Sequence, residues 1–155
     1  MTPVALPDHP HLDNPAWFNV EIIGRGPGAT TFAMVKPDGH PAHTEEILDM
    51  IQDAGLTVLT WMERQLLPMD IRALYWPHVG KFFYDRNAEF IASAPVLLLA
   101  LAGADTVDRW RNHLMPKIRE RWGQHNDDPE KKHLNLVHGS DNPENAFREL
   151  LYFFG

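Results

Sequence analysis

Thr31-Phe32-Ala33-Met34-Val35 runs directly into Lys36-Pro37-Asp38-Gly39, and the reading of this stretch sets the fold. The first part is apolar without alternation, which suits a strand covered on both faces. Pro37-Asp38-Gly39 then carries turn chemistry. Beyond it, Thr44 stands where a helix N-cap is expected, with Glu45 and Glu46 in the first turn, where the helix dipole favours them. Ile47, Leu48 and Ile51 form one apolar face, and Gly55 supplies a stop. Leu56 to Leu67 reads as a long strand with Val58, Thr60 and Trp61 as β-formers.

Farther along, Asp70 to Trp76 reads as a short helix closed by Pro77, and Asp85 to Ser93 as another. Pro95 to Leu101 reads as a buried strand by length and flanks, although its leucines leave a helix open. Thr106 to Leu114 is a helix capped by Thr106 or Asp105. Gln124 to Lys132 is a polar loop, and His133 to Val137 a short strand. Asn142-Pro143 makes an N-cap and first-turn pair. Ala146, Phe147, Leu150, Leu151 and Phe154 follow at helical spacing. This order predicts an α+β fold, a ferredoxin-like βαββαβ sandwich with additional helices. Residues 1–29 contain several Pro and Gly and no sustained periodicity, so an irregular N-terminal arm is expected there. Within the arm, Trp17 to Ile23 is a candidate for a short ordered piece. Residues 30–155 then form the domain.

A chain of 155 residues fits one domain, and with 44% hydrophobic residues it can build a core without staples. It has no cysteine, so neither a disulfide framework nor a thiolate zinc site is available. No secretory signal is visible in Met1 to Pro10, and the apolar run Ala94 to Ala102 is too short to span a bilayer. A cytoplasmic protein without membrane attachment is expected. A formal net charge of −7 argues against general nucleic-acid binding. A phosphate ligand needs only a few cations converging locally.

Two segments offer such convergence. His138-Gly139-Ser140-Asp141 places a histidine at the end of a strand, before a glycine that lets backbone approach closely. A hydroxyl two residues on can satisfy a carboxylate. Taken alone, a His beside a Gly is usually structural. Lys36-Pro37-Asp38-Gly39 taken alone is an ordinary strand-ending turn. It is not a P-loop, because the Gly-Lys-Ser/Thr phosphate cradle is missing.

Together these segments resemble the nucleoside diphosphate kinase family. The resemblance is carried by Thr31 to Gly39 and by Asn135-Leu136-Val137-His138-Gly139-Ser140-Asp141. It continues through Glu144-Asn145-Ala146 and Glu149-Leu150-Leu151-Tyr152-Phe153-Phe154. Tyr75, Phe83-Tyr84 and Ala92-Ser93-Ala94-Pro95-Val96 keep the family's order and spacing between them. It covers about residues 30–155, and the Asn-x-x-His-Gly-Ser-Asp segment is its most specific part. The resemblance implies a two-step transfer: a nucleoside triphosphate gives its terminal phosphoryl group to a histidine, and a nucleoside diphosphate takes it. Mg2+ accompanies the nucleotide phosphates, and no protein-held metal is implied.

By motif position, His138 is the expected nucleophile, and Glu149 with Ser140 fixes its tautomer. Lys36 is expected to bind phosphate and sugar hydroxyl, Asn135 the sugar, and Tyr75 to act near the phosphates. Phe83 is expected to stack on the base. Arg111 falls at the family's first phosphate-binding arginine. Arg119 is taken as the second, with Arg121 competing. The chemistry suits these residue types: a neutral imidazole is a good nucleophile and later a good leaving group, and the rest is positioning and charge neutralisation.

Three departures from the family pattern stand out. The stretch between Arg111 and Arg119 is short, with no counterpart to a phosphate-contacting threonine, and Lys117 is the available substitute. That stretch normally helps build trimeric contacts, so a homodimer is expected rather than the family's common hexamer. Glu120 to His133 is long. It places Lys132 against the base, where the family has an apolar residue, and it contains His125-Asn126-Asp127-Asp128, which reads as solvated loop. His40 and His43 sit in a shortened loop after Gly39 and are expected to face solvent. The competing reading is a nucleotide-binding regulatory or scaffold protein with residual or pathway-specific kinase activity. A histidine phosphatase is set aside, because Val137, not Arg, precedes His138.

Overall fold

The computed structural model describes residues 25, 26, 28–123 and 133–155. The strands are β1 Thr30–Val35, β2 Thr57–Arg64, β3 Val96–Ala102 and β4 Val137–Gly139. The helices are α1 Thr44–Asp53, α2 Pro68–Leu74, α3 Tyr84–Ala92, α4 Thr106–Asp108, α5 Met115–Trp122 and α6 Pro143–Phe154. A 3-10 turn, Trp76–His78, follows α2, and a π-helical stretch, Arg109–Leu114, joins α4 to α5. The strands form one sheet in the order β2-β3-β1-β4, antiparallel throughout. That is the ferredoxin-like α+β arrangement read from the sequence.

Burial explains the strand sequences. β1 and β3 are the central strands and are buried along their whole length, so they read as continuous apolar runs. Phe32, Met34, Leu98 and Ala100 meet Ile71, Ile91, Leu150 and Phe154 on one face. Ala33, Val35, Leu99 and Leu101 meet Ile47, Ile51, Trp110 and Ile118 on the other. Thus α1, the π-helical stretch and α5 cover one face. The inserted helices α2 and α3, with α6, cover the second.

Several boundaries differ from the sequence reading for physical reasons. Thr44 begins α1 but does not cap it. Its hydroxyl is taken by His40, whose Nδ1 lies 2.7 Å away. The Nε2 of His40 lies 2.7 Å from Glu63 Oε2, so His40 is buried and ties α1 to β2. The expectation that it faces solvent is corrected. His43 stacks on Trp122 at 4.6 Å. The helix expected to end at Leu114 continues to Trp122. The fourth strand begins at Val137, because Leu136 adopts a left-handed backbone with φ 71° that a strand cannot contain. Asn142 caps α6 as expected, accepting from Asn145 N at 2.8 Å. The expected ordered piece at Trp17 to Ile23, the 124–132 loop, Lys132 and the His125 to Asp128 run lie outside the described residues.

Candidate active site

β1 and β4 lie side by side, with Met34 opposite His138 and Val35 opposite Val137. The two motifs, nearly a hundred residues apart, are thereby adjacent. The turn after β1 fixes the approach to β4. Lys36 N donates to Leu136 O at 2.8 Å, and Asp38 Oδ2 accepts from Leu136 N at 3.1 Å. These bonds hold the strained Leu136 and aim the segment before it. As a result Lys36 Nζ reaches Asn135 Oδ1 at 2.7 Å.

His138 sits in β4 between the rings of Phe32 and Tyr75, with centroids at 6.0 and 5.2 Å. Its Nε2 lies 2.7 Å from Glu149 Oε1 on α6. Ser140 Oγ donates to the other oxygen, Oε2, at 2.6 Å. Glu149 and Ser140 are both buried. A buried carboxylate accepts from both, so Nε2 carries the proton and Nδ1 keeps its lone pair. The backbone is held too: Trp110 Nε1 donates to His138 O at 3.2 Å. Gly139 is required here, because a Cβ would lie 2.6 Å from Trp110 Cδ1 and 2.7 Å from Met115 Sδ.

Burial of Lys36, reinforced by the nearby Arg119 charge, brings its pKa down from 10.5 to about 7. Desolvation disfavours the ammonium, so an arriving anion is its natural partner. Burial also raises the Tyr75 phenol well above its ordinary value, which keeps it a hydrogen-bond donor. Asp38 is raised as well, chiefly by burial.

Two clefts meet at Tyr75 and His78. One, of about 440 Å³, is lined by Lys36, Phe82, Phe83, Arg86, Asn87, His133 and Asn135 as well. The other, of about 200 Å³, is lined by Arg111, His138, Ser140, Asp141, Asn145, Arg148 and Glu149 among others. The first offers aromatic surface and the second concentrates cations and the imidazole. Together they suit a ligand with a flat ring at one end and anionic groups at the other.

The structure brings His138, Glu149, Ser140, Lys36, Tyr75, Asn135, Phe83 and Arg111 to these clefts. Arg111 is exposed and donates to Gly139 O at 2.9 Å. The π-helical stretch that carries it is a form often found at functional positions. Arg119 is placed differently. Its guanidinium donates to Asn135 O at 3.2 Å and Val137 O at 2.9 Å, and it lines neither cleft. Lys117 is exposed on α5 and also lines neither. Sequence reasoning missed Asp38 as the anchor of Leu136, and it missed Trp110, His78 and Arg148. The Asp of the turn was visible as a residue able to bond backbone. The others depend on long-range packing with no local signature.

The model of the family described as nucleoside diphosphate kinase matches residues 29–155. The chain is 33% identical over 128 residues to a nucleoside diphosphate kinase of Neorickettsia sennetsu, covering 80% of this chain and 92% of that one. It is 31% identical over 131 residues to a thioredoxin domain-containing protein 3 homolog of Ciona intestinalis, covering 80% of this chain but spanning only 20% of that relative's length. Among solved structures, a halophilic nucleoside diphosphate kinase of Halobacterium salinarum in complex with CDP aligns with a TM-score of 0.66 at 28% identity. That alignment covers 81% of this chain and 86% of the other.

Proposed function

The chain belongs to the nucleoside diphosphate kinase family, and from that premise we propose that it moves a terminal phosphoryl group between nucleotides through His138. The observation that carries this reading is the His138–Glu149–Ser140 chain of hydrogen bonds opening on a cation-lined cleft. Residues 30–155 act as the transfer unit, with residues 1–29 as an arm outside it.

In the first step the Nδ1 lone pair of His138 attacks the terminal phosphorus of a nucleoside triphosphate. The bond from that phosphorus to the bridging oxygen breaks, and the diphosphate leaves with the electron pair. In the second step the terminal oxygen of an incoming diphosphate attacks the same phosphorus, and Nδ1 recovers its lone pair. Glu149 holds the Nε2 proton throughout and stabilises the positive ring of the phosphoimidazole. Lys36 and Arg111 meet the phosphate oxygens, and Asn135 and Lys36 the sugar. Tyr75 donates towards the phosphates, and the base lies on Phe83. Arg119 supports the site through the carbonyls it holds and through its charge.

Mg2+ fits this site as a companion of the nucleotide. Asp141 is an exposed carboxylate in the second cleft, and its bond from Asn145 holds it below the ordinary carboxylate range. Mg2+ is commonly held by one or two carboxylates together with substrate phosphates and water. Bound there, it neutralises charge on the phosphate oxygens. The described residues contain no cluster of three metal-ligating side chains.

The test is phosphoryl exchange between a triphosphate and several diphosphates, with and without Mg2+. Transfer that needs both Mg2+ and His138 supports the reading. No transfer to any acceptor would reject it.

A second reading has its own motive. Arg109–Trp122 is helical throughout, where the family pattern suggests a phosphate-contacting loop. The chain also matches nucleoside diphosphate kinase-like segments of much longer proteins. A nucleotide-binding regulatory role predicts that His138→Ala keeps nucleotide affinity and biological activity. Loss of activity in that variant removes this reading. The same helical stretch supports a homodimer, which sedimentation checks.

A further inference from the structure

Phe83 stands just before α3, and the chain is already helical there, with Asn87 N donating to Phe83 O at 3.2 Å. Residues three apart on a helix share a face. Arg86 therefore lies on the face of Phe83, and both line the first cleft. Arg86 is exposed, so a ligand can reach it. An aromatic platform by itself accepts any base, because every base presents a π-face. A cation beside that platform adds something a base-indifferent slot does not need.

The Arg86 charge is felt within the cleft. His133, another lining residue, is held below its ordinary pKa by burial and then by the Arg86 and Lys36 charges. Its ring is therefore mostly neutral near pH 7. A neutral imidazole or an amide presents a donor or an acceptor as the ligand requires, so neither His133 nor Asn87 decides which base fits. A guanidinium only donates, and it stays charged. Arg86 already interacts within the protein, but its planar fork carries several N–H donors, and one interaction does not use them all.

We propose that Arg86 selects the base stacked on Phe83 by donating to two neighbouring acceptors on the base edge. Guanine and hypoxanthine offer O6 and N7 there, the pair that a guanidinium fork matches best. Adenine offers N7 beside an amino group, whose N–H meets donors and finds no acceptor. The site then favours guanine and hypoxanthine nucleotides over adenine nucleotides. This inference rests on the nucleotide reading of the first cleft given above.

The experiment compares kcat/KM for GDP, IDP and ADP as acceptors, with phosphorylated His138 as donor. IDP shares O6 and N7 with GDP but lacks its 2-amino group, so it isolates the edge that Arg86 reads. GDP and IDP should both be favoured over ADP by roughly tenfold, as one bidentate contact supports. Arg86→Met should bring both ratios towards one, and Arg86→Lys, a single-point donor, should give intermediate ratios. Wild-type ratios near one overturn the inference and leave the transfer reading standing. So does a preference for GDP that IDP does not share, or a preference that persists in Arg86→Met. An equal loss for all three acceptors in Arg86→Met also overturns it, since Arg86 would then act only as a general charge. Failure of His138 to accept phosphate from any triphosphate rejects the transfer reading itself.

Discussion

The Nε2 of His138 lies 2.7 Å from Oε1 of Glu149, a residue one helix away and itself buried. This contact decides which imidazole nitrogen is free. On the proposed transfer reading, it makes Glu149 a positioning residue for the attack.

Glu149→Gln should reduce kcat by roughly 10–100-fold, with nucleotide KM little changed. A buried amide can present its NH2 group to Nε2 and select the wrong tautomer. Nitrogen NMR of the ring should show the proton moved to Nδ1 in the variant. An unchanged ring spectrum and unchanged kcat would contradict the assignment.

Ser140 supplies the second donor to that carboxylate. Ser140→Ala leaves a buried oxygen unpaired and should lower stability by about 1–3 kcal/mol. Urea denaturation measures the loss as a lower midpoint at unchanged slope.

Lys36 should make both binding and stability depend on pH. Its pKa falls from 10.5 to about 7 on folding. Between those values the unfolded chain binds more protons than the folded one, so this residue's contribution to stability becomes more favourable as pH rises through that window. Bound phosphate draws the proton back. Nucleotide binding near pH 8 should therefore take up a proton, seen by calorimetry in buffers of different ionisation enthalpy, and affinity should weaken towards pH 9. Lys36→Met should abolish the uptake.

Arg111 and Arg119 should separate cleanly. Arg111→Ala should raise nucleotide KM about tenfold, with stability changed by less than about 0.5 kcal/mol. Arg119→Ala should lower stability by about 1–3 kcal/mol, because two backbone carbonyls lose their donor. Thermal unfolding beside steady-state kinetics distinguishes the two.

Gly139→Ala forces a methyl against Trp110 and Met115. A loss of about 1–3 kcal/mol is expected, together with reduced transfer, because His138 is the preceding residue.

Much of this architecture was legible in the residues. The unbroken apolar runs of β1 and β3 announced strands covered on both faces, and Asn142-Pro143 announced the start of α6. The juxtaposition of Lys36 and His138 was read through family resemblance. Propensity could not have given it, because it depends on β1 and β4 pairing across most of the chain. What escaped reading was decided by tertiary contacts. His40 looked like a solvent-facing loop residue until Thr44 and Glu63 closed around it. Arg119 and Arg121 competed in the sequence for the place of a second phosphate-binding arginine, and the reach of Arg119 to the carbonyls of Asn135 and Val137 depends on how α5 lies over the sheet. The π-helical stretch at Arg109–Leu114 has no distinctive composition. Leu136 resembles a strand residue, and only the Asp38 side chain explains its left-handed backbone.

The most direct measurement is intact-mass and fragment analysis after mixing the protein with a nucleoside triphosphate and Mg2+. The expected result is one phosphoryl group per chain, labile to acid and stable to alkali, located on His138 and discharged by added nucleoside diphosphate. A phosphoryl group on another residue, or none on His138, would contradict it.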